Sequence, residues 1–179
     1  FKGRNIVFIL YLSTMMIPIT VRLIPSYNLC RNLNMLDTYM GMILPQVAWS
    51  IPFGTFLMRQ FYMGIPKQLD EAAKIDGANH FQIFWKILLP NTKSSMTTLG
   101  IYTFISAWNN LIWMLLSVRS ESKWTVTLGI SSICGASVIK QPTWNLIMGV
   151  IVIGMIPVLI LFFAFQKYFM QSVAATGIK

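Results

Sequence analysis

Residues Trp144–Phe169 read WNLIMGVIVIGMIPVLILFFAFQKYF, and no charged side chain occurs before Lys167. A helix needs about 20 mostly apolar residues to cross the hydrocarbon core of a bilayer, at about 1.5 Å of rise per residue. A helix of that length on a water-facing globule would carry a polar face, and this one has none. The stretch therefore predicts a membrane span, with Gly154 and Pro157 interrupting an otherwise continuous apolar run.

Three further segments meet the same requirement. They are Asn5–Ile24, with Pro18 inside and Arg22 near the end; Tyr39–Met58, with Pro45, Gln46 and Pro52; and Met96–Val118, with Trp108, Asn109, Asn110 and Trp113. Pro and Gly are tolerated in spans when neighbouring helices or water satisfy the freed backbone groups. Their frequency predicts packed, kinked helices. Of the 179 residues, 55% are hydrophobic and 11% charged, with a mean hydropathy of +0.62. Soluble domains carry about 25% charged residues. The expected fold class is all-α, a polytopic bundle of transmembrane helices. Pro25–Thr38 and Arg119–Thr143 are expected to be polar links, and 59–93 a charged, helix-prone loop.

The formal net charge is +9. The basic residues are scattered at the ends of spans and form no stripe interleaved with aromatics, so nucleic acid is not an expected partner. They orient the chain instead. Lys2, Arg4, Arg59, Lys67, Lys74, Lys86, Lys93, Lys167 and Lys179 fall on one side, and Arg22, Arg31, Arg119, Lys123 and Lys140 on the other. The richer side, with the 59–93 loop, is expected in the cytoplasm. The chain starts at Phe1 and has no initiator Met, so it is expected to begin mid-protein.

The 59–93 loop holds the most distinctive local pattern. Ile65-Pro66 makes a sharp start, with Pro expected at the first helical position. Asp70 and Glu71 lie near the helix N-terminus, where negative charge complements the macrodipole. Ala72, Ala73, Lys74 and Ile75 continue the helix, and Gly77 fits a left-handed stop. A second amphipathic stretch, Phe81, Phe84, Trp85 and Leu88, is expected to end at Pro90. Ala73 and Gly77, four apart, share one face that a partner's groove could receive, with Ala72 beside them. An amphipathic helix lying on the membrane surface fits the same pattern equally well.

Glu71-Ala72-Ala73, then three residues, Gly77, and nine residues later Ile87-x-Leu89-Pro90 resembles the signature loop of ABC importer permeases. The wider string, Leu57–Phe61, Ile65-Pro66-Lys67, Asp76-Gly77-Ala78 and Phe84-Trp85, is similar to the carbohydrate-import branch. So are Leu12–Pro18 and Ser106-Ala107-Trp108-Asn109, which resemble the maltose G-subunit type. The resemblance spans nearly the whole chain. It implies an ABC type I importer permease fold of about six spans, about four of them present here. It also implies a bacterial inner-membrane location, a second homologous permease subunit, two cytoplasmic ABC ATPase subunits and an external substrate-binding protein. Glu71, Ala72, Ala73, Asp76 and Gly77 would then form the helix that couples to an ATPase. Asn110 stands where the family often has an acid, and the chain lacks the final Gly often seen there.

Other residues have two readings. Gln46, Asn109 and Asn110 lie inside spans, where polar groups are costly and usually face the bundle interior or a water-filled path. They are candidates for the translocation path, or they hydrogen-bond neighbouring helices. Trp108, Trp113 and Trp124 could stack on sugar rings or form interfacial belts. Glu71 has no second acid with general-acid geometry, so no catalytic role is assigned. His80 is the only histidine and has no other ligands around it. Cys30 and Cys134 fit no metal spacing and are expected to be two free thiols on the outer side. No phosphate-cradling Gly-rich loop with Lys-Ser/Thr is present, so ATP would have to act through a partner. A permease of the same class for another small solute, an ion-gradient transporter and a structural scaffold are the rival readings. The ion-gradient transporter is disfavoured because the span interiors hold no Asp or Glu.

Overall fold

The computed structural model describes the backbone of residues 2–140 and 144–176, and the side chains of residues 2–135 and 144–166. Among these residues every regular element is helical.

Helix α1 (Arg4–Ser13) runs through a 3₁₀ turn (Thr14–Met16) and then breaks, and α2 (Ile19–Asn32) leaves at 98° to it. The expected single span Asn5–Ile24 is therefore two helices. The cause is Pro18, whose ring pushes the preceding residue out of the helical region; Ile17 sits at φ −76°, ψ 118°. The expected link from Pro25 is also corrected, because Pro25 lies inside α2.

Helix α3 (Tyr39–Met63) begins where expected and runs on past Met58. Thr38 caps it, its hydroxyl oxygen accepting from the Gly41 N–H at 3.1 Å. Helix α4 (Lys67–Ile75), α5 (His80–Ile83), a π turn (Phe84–Leu88) and α6 (Leu89–Asn91) follow. The expected span Met96–Val118 is also divided, into α7 (Lys93–Trp108) and α8 (Leu111–Ser117), bent by 54° at Asn109-Asn110. Most of the expected link 119–143 is α9 (Val126–Lys140), a short apolar helix rather than a polar loop. Helix α10 (Trp144–Thr176) contains the long apolar stretch. Two described helices are long and apolar enough to cross a membrane, and four spans result if each bent pair counts as one.

Trp113 anchors the core. It has no exposed surface and sits in a cluster with Leu23, Cys30, Met42, Met114, Val118 and Leu128. Its indole N–H donates to the Gly41 carbonyl at 3.0 Å, and its ring meets Trp49 edge-on at 5.2 Å. It is neither a belt residue nor a free stacking platform, which corrects both sequence readings. Gly41 has to be glycine, since a Cβ there would lie 2.0 Å from the Met35 carbonyl oxygen.

A polar clasp closes the end of the bundle that holds the α2–α3 loop. Asp37, at φ +57°, accepts from the Arg119 and Ser120 N–H groups at 3.0 Å each and from the Ser120 hydroxyl. Lys123 approaches the same carboxylate at 3.5 Å and also donates to the Asp37 carbonyl. The Asp37 N–H donates to the Ser117 carbonyl at 2.7 Å. At the other end, Arg59 donates to the Asn5 side chain at 3.3 Å and lies 3.9 Å over the Phe8 ring. The two groups match the charge partition read from the sequence, with Arg119 and Lys123 at one end and Arg59 beside the Arg4–Asn5 end.

The Ser120 hydroxyl, then the two backbone donors, hold the Asp37 carboxyl well below the usual carboxylate range, with the Lys123 charge adding to the effect. A carboxyl depressed in the folded state stabilises the fold above its unfolded pKa of about 3.9, and that stability is lost as pH falls below it. Asp37→Asn should therefore lower the melting temperature at pH 7. The gap between variant and wild type should narrow as the pH is taken from about 5 to 3. A pH-independent gap in a melting series would show that the carboxylate charge is not what closes the clasp.

Candidate functional site

Two regions gather the residues singled out in the sequence. The first is α4 and the turn after it. Pro66 is the residue just before the helix, one position earlier than expected, and fixes the chain's approach at φ −58°, ψ 130°. Asp70 lies in the first turn and pairs with Lys74 at 2.5 Å. Both side chains are more than two-fifths exposed, so the pair adds only about 0.3–0.5 kcal/mol.

The helix stops as the sequence indicates. Gly77 sits at φ +79°. Its N–H donates to the Lys74 carbonyl at 3.1 Å, and the Ala78 N–H to the Ala73 carbonyl at 2.9 Å. These are the two bonds of a Schellman stop, with Asp76 as the last residue of the helix end. Two residues on, Asn79 and Gln82 cap α5 reciprocally, each side chain accepting from the other's backbone N–H at 2.9 Å. The two caps fix the elbow between α4 and α5.

Glu71, Ala72, Asp76 and Gly77 are exposed, whereas Ala73 is 5% exposed and turned to the chain's own body. The expectation that Ala73 and Gly77 present one face to a partner is thus corrected. A nine-residue helix must rest on something to hold its place, and Ala73 is the side that does. The outward apolar surface comes from Ile75 (86% exposed), Phe81 (74%) and Trp85 (54%). Phe84 instead meets Tyr62 of α3, ring centres 6.2 Å apart. His80 is exposed at the start of α5.

The second stretch does not end at Pro90. The π turn Phe84–Leu88 widens the helix just ahead of it, which accommodates a residue without an N–H, and α6 continues to Asn91. The helix ends at Thr92, whose buried hydroxyl donates to the Leu88 and Leu89 carbonyls at 3.2 and 3.1 Å.

The second region is a cavity of about 800 Å³ among α2, α3, α7 and the α7–α8 break. Gln46, Asn109 and Asn110, all named from sequence, line it together. Asn110 also caps α8, its side-chain oxygen accepting from the Trp113 N–H at 3.3 Å. Gln46 donates to the Met42 carbonyl at 2.9 Å. Ser50, Tyr102, Thr103 and Ser106 add polar groups to the wall. Sequence reasoning missed Arg22 as a cavity residue, although an arginine inside an expected span was the available signal. Trp108 lies outside the cavity wall, and its indole N–H donates to the Gly154 carbonyl at 3.3 Å. Cys30 is buried and Cys134 half-buried, and both are free thiols.

Residues 1–175 match the profile of the family described as binding-protein-dependent transport system inner membrane component. The chain belongs to that family. As a member of these transporter permeases, it is similar to the arabinooligosaccharides transport system permease protein AraQ of Bacillus subtilis (strain 168). The two are 35% identical over 179 residues, all of this chain and 62% of AraQ. It is also similar to the sn-glycerol-3-phosphate transport system permease protein UgpE of Yersinia enterocolitica serotype O:8. Here the identity is 39% over 173 residues, 96% of this chain and 60% of UgpE. Among solved structures it resembles a chain in the crystal structure of a bacterial ABC transporter involved in the import of the acidic polysaccharide alginate. The TM-score is 0.77 at 28% identity, covering 94% of this chain and 63% of that one. The permease family thus fixes the fold as that of an ABC importer permease, in the inner membrane. The chain spans about six-tenths of the length of these relatives. Family members are transporter permease subunits, which are generally non-catalytic.

Proposed function

We propose that this chain is the membrane-spanning permease subunit of an ATP-binding-cassette importer for a carbohydrate, working by alternating access. The carrying observation is the elbow at Gly77: a short polar helix, stopped and re-capped within a few residues, outside the apolar bundle and with Glu71 exposed on it. A helix stopped at its far end and joined through a capped elbow passes a push on to α5, whereas a loose surface helix absorbs it. The whole of 1–179 is read as one permease domain and 59–93 as its cytoplasmic coupling loop. Glu71, Ala72, Asp76 and Gly77 meet an ATPase subunit, with Ala73 serving as the footing. Two such ATPases hydrolyse ATP, a second homologous permease completes the pathway, and an external binding protein delivers the sugar. The names of the relatives AraQ and UgpE, and of the alginate transporter, support a carbohydrate or carbohydrate-like solute. Gln46 and Asn109 stand along the pathway, and Asn110 shapes it by capping α8.

Capture of the ATPase from detergent tests this. Glu71 makes no ion pair among the described residues, so Glu71→Lys should leave the fold intact. It should lower the amount of ATPase retained by the full-length permease about tenfold, the equivalent of about 1.4 kcal/mol. Equal retention by variant and wild type would remove Glu71 from the docking surface. A wild-type permease that holds no ATPase would overturn the importer reading altogether.

A further inference from the structure

We propose that Arg22 makes the cavity an anion-selecting site, so that the solute this permease passes is a sugar bearing an oxyanion, either a carboxylate or a phosphate. This rests on the permease reading above and narrows its substrate class.

Arg22 lies in the first turns of α2, just after the 98° bend. Among the described residues it is the only charged one lining the cavity, and no Asp or Glu lines it. Its Nε is buried without a hydrogen-bond partner, and neither ion pair among the described residues involves it. An arginine on a cavity wall that carries no carboxylate leaves its outward N–H donors to an acceptor brought in by the solute. The guanidinium carbon stands 5.8 Å from the centre of the Trp49 ring, and Trp49 is held edge-on by the buried Trp113. The fork is therefore propped from a rigid part of the core.

A planar fork in that position matches a carboxylate or phosphate through two parallel N–H···O bonds. Gln46, Tyr102 and Asn109 on the same wall offer amide and hydroxyl groups for sugar hydroxyls. The cavity volume of about 800 Å³ suits a small solute rather than a bare ion.

The test reads the charge preference of the cavity directly, so it does not depend on transport. Ser106 is exposed to the cavity and serves as the reporter. Ser106→Cys is placed in the full-length permease with Cys30→Ala and Cys134→Ser, assembled with its partners in vesicles of neutral lipid. Anionic, neutral and cationic methanethiosulfonates of similar size are then compared. The anionic reagent should react at least about tenfold faster than the neutral one, and the cationic one slowest. Adding Arg22→Gln should bring the three rates together. Galacturonate should slow the reaction and galactose should not.

Equal rates in the parent, no reaction with any reagent, or equal protection by both sugars would each overturn the proposal. So would an anion preference that vanishes when phosphatidylglycerol is added, because a headgroup would then own the site. Failure of ATP to drive uptake with the anion preference intact would overturn the importer reading instead.

Discussion

Trp113→Ala should cost about 3–5 kcal/mol of stability, the largest loss available to a single substitution in this core. The side chain is fully enclosed, so alanine leaves a void that its neighbours in α2, α3 and α9 can only partly close. What disappears with the ring is dispersion attraction, which lipid does not restore inside a closed bundle. The Gly41 carbonyl loses its indole donor in the same step, and Trp49 loses its edge-on partner. Trp113→Phe separates these contributions. It keeps most of the ring but orphans the Gly41 carbonyl, at about 1–3 kcal/mol. Unfolding in mixed micelles ranks the three proteins. An alanine variant within about 1 kcal/mol of wild type would mean that this cluster is not the organising core.

Gly77→Val should reduce ATP-driven uptake by about tenfold or more while leaving membrane abundance unchanged. The reason is backbone conformation and not bulk. Nothing lies within 4 Å of where a Cβ would be, so a side chain meets open space. The φ of +79°, however, is a region that a β-branched residue occupies only under strain of about 1–2 kcal/mol. That strain is relieved by abandoning the Schellman stop, which releases the elbow between α4 and α5. Gly77→Asn is the discriminating control, since asparagine tolerates the left-handed region and should keep most of the uptake. If asparagine and valine fail alike, the effect is a side chain intruding on the docking surface. If neither fails, the elbow does not transmit force.

The long elements were legible because length and apolarity suffice to specify them. The starts of α3 at Tyr39 and α10 at Trp144 needed no partner to be read. The stop at Gly77 was legible because a left-handed position selects its residue locally. The breaks were not. Pro18 ends a helix, yet Pro25, Pro45, Pro52 and Pro157 lie inside helices. What decides between these outcomes is whether the surroundings satisfy the freed carbonyl, and that is a tertiary property. The segment forming α9 reads as a link because Ser, Thr and Gly weaken its local signal, while packing on α10 and α8 supplies what propensity lacks. Gln46, Asn109 and Asn110 were found by the cost of polarity in lipid, though only folding shows that they share a cavity. Ala73 looked like docking surface because spacing gives a shared face without saying which way the face points.

The Asp37 clasp also limits how this molecule can change shape. It joins the segment leading into α3 to the segment leaving α8, and both of those helices border the cavity. Two walls fastened at their rim travel as one rigid body. A doorway needs a leaf that swings relative to its frame, and at this rim the chain supplies only the frame. Any leaf on that side has to be an element other than α3 and α8.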